Sequence, residues 1–256
     1  MAIADRKLRF WKERDRLILE ATDQLLSTEG YLGLNLNSVA DHIEYSKATI
    51  YNHYETKEDL LLAVVNMHME RRLDYFGRAL TLPGFAREQF FAVGFGDLLL
   101  SRLSPHIFTL LQLSLSPSIW EKSTKERHQA FNALQERVVT VMRTIFSKAV
   151  EEKNLSANDV DFAQVLLGVV GMSKGCYLLE SSPDFLAGLS PAESAHLLFR
   201  NYHAYLDGLN WEPYFRDHDY GRTLTRIEQE LFPDEVREIG GLFPQHTEDS
   251  THILVN

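Results

Sequence analysis

Apolar residues along this chain recur at intervals of three and four, the period of an α-helix with one buried face, and alternating or β-branched stretches are scarce. The pattern therefore predicts an all-α protein. A first helix is expected over about Arg14–Thr28, with Leu17, Ile18, Ala21, Leu25 and Leu26 on one face and Glu29-Gly30 as its stop. A second follows Asn35, a good N-cap, and buries Leu36, Val39, Ala40 and Ile43; a third starts at Ser46 and ends near Tyr54. A fourth runs from Thr56 to about Leu82, where Pro83-Gly84 breaks it. Longer helices are expected over 85–103, 105–115, 118–153, 157–180 and 191–210. In the long third of these, Phe131, Leu134, Val138, Val141, Ile145 and Ala149 form a bundle-type seam. Beyond Trp211 the pattern weakens, although Leu224, Ile227 and Leu231 predict one further short helix before a polar end.

Composition narrows the class. With 256 residues and 45% apolar content the chain can bury a sizeable core, and its single cysteine, Cys176, excludes an internal disulfide framework and fits a reducing, cytoplasmic setting. The basic start MAIADRKLRFWKERDR has no apolar run behind it and does not read as a secretory signal. Phe162 to Leu179 is apolar enough to suggest a membrane span, but Lys174 and Gln164 lie inside it, so a buried bundle helix is expected and no membrane. The net charge of −10 argues against a uniformly basic nucleic-acid binder, yet the charge is polarised. Met1 to Arg16 carries six basic residues against three acidic, whereas Trp211 to Asn256 carries four arginines against ten acidic residues. The acidic end should avoid DNA, while a solvated helix extension and a DNA-contacting arm fit the basic start equally.

The most informative stretch is NLNSVADHIEYSKATIYNHYETKEDLL, Asn35 to Leu61. Two short helices joined by a tight turn place the second across the first, where its exposed face can enter a major groove. Ser46 caps that second helix; Lys47, Ala48 and Thr49 stand on its leading turn, and Tyr51, Asn52 and His53 follow, while Ile50 points inward. Lys57, at the start of the next helix, is placed to hold the DNA backbone. A basic patch of this kind with interleaved Tyr, Asn and His is less expected on an ordinary packing helix.

In this stretch the chain resembles the TetR (tetracycline-repressor-like) family of transcription regulators: Gly30-Tyr31, Asn35, Val39-Ala40, Ser46-Lys47, Thr49-Ile50-Tyr51, His53-Tyr54, Lys57-Glu58 and Leu60 fall on the family's signature without a gap. The resemblance covers Arg14 to Leu62 and assigns DNA contact to Lys47, Thr49, Tyr51, His53 and Lys57. Glu44 departs from it, occupying a turn position where the family usually has glycine, and a left-handed conformation there would cost roughly 1 kcal/mol. The resemblance implies an N-terminal three-helix helix-turn-helix domain over residues 1–57 and a larger helical regulatory and dimerisation domain over 58–211. An acidic C-terminal extension over 212–256, partly helical and partly mobile, would follow. It also implies a homodimer on a palindromic double-stranded operator, most simply a repressor, released by a small apolar inducer whose identity the sequence does not give. A regulator of the same build controlled by a protein partner instead of a ligand is the alternative.

For the inducer site the polar and aromatic residues within apolar runs are the candidates: His106, Phe108, Gln112, Trp120 and Tyr177. The dimer seam is expected on the last two long helices, where Gly168, Gly171 and Gly175 recur along one side and Leu198, Tyr202 and Leu206 form a facing stripe; packing against a neighbour in the same subunit would use the same glycines. Ten histidines invite a metal, but His196 and His203, two turns apart on one helix, lack a third ligand, and His246 and His252 sit in the polar end, so no metal and no cofactor is expected. Cys176 reads as a small buried hydrophobe. No catalytic residue is expected, because no phosphate loop, nucleophile elbow or paired-carboxylate arrangement is present; an enzyme with an accessory DNA head has no residue behind it.

Overall fold

The structure, a computed structural model, describes residues 2–181 and 188–241. His246 and His252, and with them the polar end, lie outside the described residues. Among those described there are helices and no strands: α1 (Ala2–Gly33), α2 (Leu36–His42), α3 (Lys47–Tyr51), α4 (Lys57–Leu80), α5 (Ala86–Leu103), α6 (Ile107–Ser114), α7 (Pro117–Trp120), α8 (Lys125–Glu151), α9 (Phe162–Glu180), α10 (Pro191–Gly208), α11 (Tyr220–Arg226) and α12 (Pro233–Glu238). The chain divides into two compact units, one of Met1–Arg71 with Ser104–Gln135, the other of Arg72–Leu103 with Glu136–Asn256. The first unit is therefore larger than the expected 1–57 domain and recruits a later stretch of the chain.

In the first unit, α1 starts a dozen residues earlier than the apolar pattern suggested, so the basic segment is itself helical. Its stop is where expected: Gly30 takes φ 67°, a left-handed conformation that costs glycine nothing. Asn35 caps α2 by accepting from the Ser38 amide at 2.9 Å, and the Ser38 hydroxyl completes a capping box. Ile18, Leu25, Leu26, Leu36, Val39, Ile50, Tyr54 and Leu60 are buried together in this unit's core. The helix expected over 118–153 is two helices. Pro117 starts α7, and the chain then turns because both the backbone N–H and the hydroxyl of Thr124 donate to Asp59 Oδ1 at 2.8 Å, which draws the start of α8 to α4. Trp120 and His128 stack across the break, ring centroids 4.1 Å apart and nearly parallel.

The second unit is organised on α5, buried along its length from Ala86 to Ser101. Burial of that many positions needs the charges among them paired. Arg87, fully buried, bonds Asp207 at 2.6 Å, the carbonyl oxygen of His203 at 3.1 Å and that of Trp211. Asp97 accepts both Nε and Nη2 of Arg72 at 2.6 Å, a two-pronged pair. Residues beyond 211 are part of this core as far as they are described: Tyr220, Leu224, Ile227 and Phe232 are buried, and Arg78 bonds the Leu231 carbonyl oxygen and Glu235. The one short helix expected on Leu224, Ile227 and Leu231 is spread over α11, a π-helical turn (Ile227–Leu231) and α12, which blur a single helical period.

Candidate nucleic-acid interface

The geometry around α3 follows from its caps and from one apolar residue. The Ser46 side chain accepts from the Thr49 amide at 3.2 Å and shares a 2.8 Å hydrogen bond with the Thr49 hydroxyl, which fixes the first turn. Ile50 is fully buried and Tyr54 nearly so, and they hold the short helix against the core. Before it, Glu44 takes φ 57°, so the turn has the left-handed geometry that glycine would adopt freely, imposed here on a side chain that pays for it. The Tyr45 amide closes the turn onto the Ala40 carbonyl oxygen at 3.0 Å.

This anchoring leaves Lys47, Ala48, Tyr51 and Asn52 exposed and Thr49 half-buried. Lys57, at the start of α4, is half-buried with its ammonium 4.4 Å from the centre of the Tyr31 ring. Tyr31 in turn donates to Glu58 at 3.1 Å, and burial together with the Glu58 charge pushes its phenol up to about 12. His53 corrects the sequence reading. Its side chain, only 1% exposed, stacks on Trp11 at 3.7 Å and bonds Asp15 at 3.1 Å, while Tyr54 donates to the same carboxylate at 2.8 Å. It is a wedge between α1 and α3 and does not stand on the exposed face. Trp11 is the residue sequence reasoning missed; it lies on the basic extension of α1, where only its aromatic character marked it.

The expected inducer residues are divided between the two units. His106 bonds Asp23, Gln112 is exposed, Phe108 is half-buried and Trp120 stacks on His128, all in the first unit, whereas Tyr177 is buried in the second. A cavity of about 420 Å³ in the second unit is lined by Glu88, Asp217, His218, Asp219, Arg222, Thr223 and Arg226 and contains none of the five. Tyr177 instead joins a buried polar group that the sequence did not reveal. It lies near the Arg72–Asp97 pair and near Tyr202, whose hydroxyl bonds Ser173. Burial pushes both tyrosines well above the usual phenol range.

The expected dimer residues also separate. Leu198, Tyr202 and Leu206 are buried within the single chain, so this stripe of α10 is core and not a free seam. A β-carbon at Gly168 would meet the Tyr205 ring at 2.3 Å, so this glycine admits a neighbour from the same chain, and Tyr205 donates to the Gln164 carbonyl oxygen beside it. Gly171 and Gly175 have no described residue within 4 Å of that position. They border an uncovered apolar face on which Leu167 is 77% and Leu178 61% exposed. α9 is long and apolar enough to cross a membrane by length and composition, and only 22% of its apolar window is buried, so in a single chain it is less covered than the expected buried bundle helix. His203 is a core residue, packed on Phe215 and Tyr220, and burial, helped by the Arg87 charge, lowers its pKa to about 3.

Residues 18–64 match the family described as bacterial regulatory proteins, tetR family. An uncharacterized HTH-type transcriptional regulator in the lacX 3′ region of Lactococcus lactis subsp. lactis is 35% identical over 63 residues, which are 25% of this chain and 31% of that protein. The match thus spans less than a third of the relative. Over the whole fold, a TetR/AcrR-family regulator from Thermobifida fusca superposes with a TM-score of 0.60 at 23% identity, covering 77% of this chain and 98% of the other. A TetR regulator from Haloarcula marismortui does so with a TM-score of 0.63 at 20% identity, covering 77% and 98%.

Proposed function

We propose, from the premise that this chain is a TetR-family transcription regulator that binds DNA, that it acts in the cytoplasm as a homodimeric repressor of a palindromic operator and lets go when a small molecule binds its second unit. The observation that carries the reading is the exposed row Lys47, Ala48, Tyr51 and Asn52 on a capped helix whose opposite side is locked into the core by Ile50 and Tyr54. Such a row offers an ammonium and a phenol to phosphates and an amide to a base edge, with Ala48 small enough for close approach. The uncovered face of α9 supports self-association, because a second copy would remove Leu167 and Leu178 from water. The buried Arg72–Asp97 pair among Tyr177, Tyr202 and Ser173 supports a ligand with a polar end and an apolar body.

Two heads related by a two-fold axis read half-sites about one helical turn apart, ~34–36 Å. α4 starts in the first unit and ends in the second, so a ligand that shifts it changes how the heads are presented. Selection of bound fragments from random DNA by the purified full chain tests the reading: enrichment of a two-fold symmetric sequence is expected, and no enrichment over the starting pool overturns it.

A further inference from the structure

Asp23 on α1, His68 on α4 and His106, the residue just before α6, come from distant parts of the sequence and meet at one point within the first unit. Asp23 Oδ1 lies 2.8 Å from His68 Nε2 and 2.6 Å from His106 Nε2, and the three donor atoms all fall within 4.8 Å of one another. Among the described residues this is the one group of three His, Cys, Asp or Glu side chains so arranged. The point is sheltered: the side chains of Asp23, His68 and His106 are 22%, 4% and 18% exposed. The two rings meet edge to face, centroids 5.8 Å apart, so both nitrogens converge on the carboxylate from different directions. Among the described residues His68 Nδ1 has no hydrogen-bond partner, and the shared oxygen is the polar anchor of that ring.

The geometry points to a divalent transition-metal site, Zn²⁺ or a metal of similar preference, with Asp23, His68 and His106 as its three protein ligands and a fourth position open to water or a further donor. Two imidazoles and one carboxylate are the donor set of three-ligand zinc sites, whereas Mg²⁺ and Ca²⁺ take all-oxygen shells. Tetrahedral ligands about 2.0–2.1 Å from zinc sit roughly 3.3 Å apart, so the Asp23–His68 and Asp23–His106 separations of 2.8 and 2.6 Å would open by roughly 0.5–0.7 Å to admit the ion. The sequence pattern singles out His196 and His203 on one helix and His246 and His252 in the polar end, and no metal is expected from them. This site is built from two helices and the residue that leads into a third, and occupancy would tie α1, which supports the DNA-binding helices, to α4 and the start of α6.

The test uses the full chain stripped with a chelator and titrated with Co²⁺, whose visible d–d bands report low-coordinate nitrogen and oxygen ligation, and then with Zn²⁺ by calorimetry. One ion per chain is expected, with a rise in Tm on Zn²⁺ addition. D23N keeps a hydrogen-bonding side chain and H106Q alters a partly exposed position, so both should stay folded by circular dichroism while losing affinity by more than about tenfold. H42Q, at an exposed histidine outside the cluster, should bind as the wild type does. Absence of stoichiometric binding to the wild type, or binding unchanged in both D23N and H106Q, overturns the assignment. Neither readout involves DNA, so the site stands or falls apart from the regulatory function.

Discussion

The ammonium of Lys47, exposed on the first turn of α3, can replace one condensed counterion at a phosphate and carries no sequence information of its own. K47A is expected to weaken binding to every DNA sequence and to lower the slope of log affinity against log salt by about 0.9, measured by fluorescence anisotropy across a salt series. Asn52 differs, because an amide can bond a base edge in two ways, and N52A is expected to change which sequence is selected. His53 belongs to neither class: wedged between Trp11 and Asp15, it is expected on replacement by Ala to cost about 1–2 kcal/mol of stability in urea unfolding and to leave the selected sequence unchanged. His203 gives a pH signature. Its folded pKa of about 3 lies below the unfolded value near 6.5, so between these values the unfolded chain binds the extra proton and stability is lost as pH falls. An H203Q variant is expected to lack that component, at most about 1.4 kcal/mol per pH unit, when denaturation is compared with wild type between pH 6.5 and 4.

Among the elements, α9 separates two roles that its glycines seemed to share in the sequence. Gly168 has the Tyr205 ring where a β-carbon would go, so G168L is expected to disturb the fold of the single chain, lowering Tm and helical signal together. Gly171 faces open space beside Leu167, so G171L is expected to keep the fold while sedimentation shows more monomer. If G171L stays fully dimeric with an intact fold, the seam lies away from this part of α9. Spacing along the sequence placed all three glycines on one side of a helix but could not show which of them already had a neighbour. The same limit explains Leu198, Tyr202 and Leu206: a helical stripe identifies an apolar face, and only the packing of α9 on α10 shows that the chain covers it itself. Features set by adjacent residues were legible, as the Asn35 and Ser46 caps, the Gly30 stop and the left-handed turn at Glu44 illustrate. The break between α7 and α8 was not, because Asp59, more than sixty positions away, draws Thr124 into the turn.

At the scale of the whole molecule, the sequence carried its functional information in one contiguous stretch, since a helix-turn-helix is built from neighbours in the chain. Tertiary sites were hidden for the opposite reason: Arg72 with Asp97, and Asp23 with His68 and His106, join helices that no local pattern relates. On the proposed reading, α3 reads DNA and two copies read it together. The most direct measurement is binding-site selection with wild type and N52A, followed by sedimentation of the wild type on the selected duplex. A two-fold symmetric site occupied by two chains is expected, with N52A selecting altered bases at matching positions in both halves. A selected site without symmetry, bound by one chain and selected identically by N52A, would contradict it.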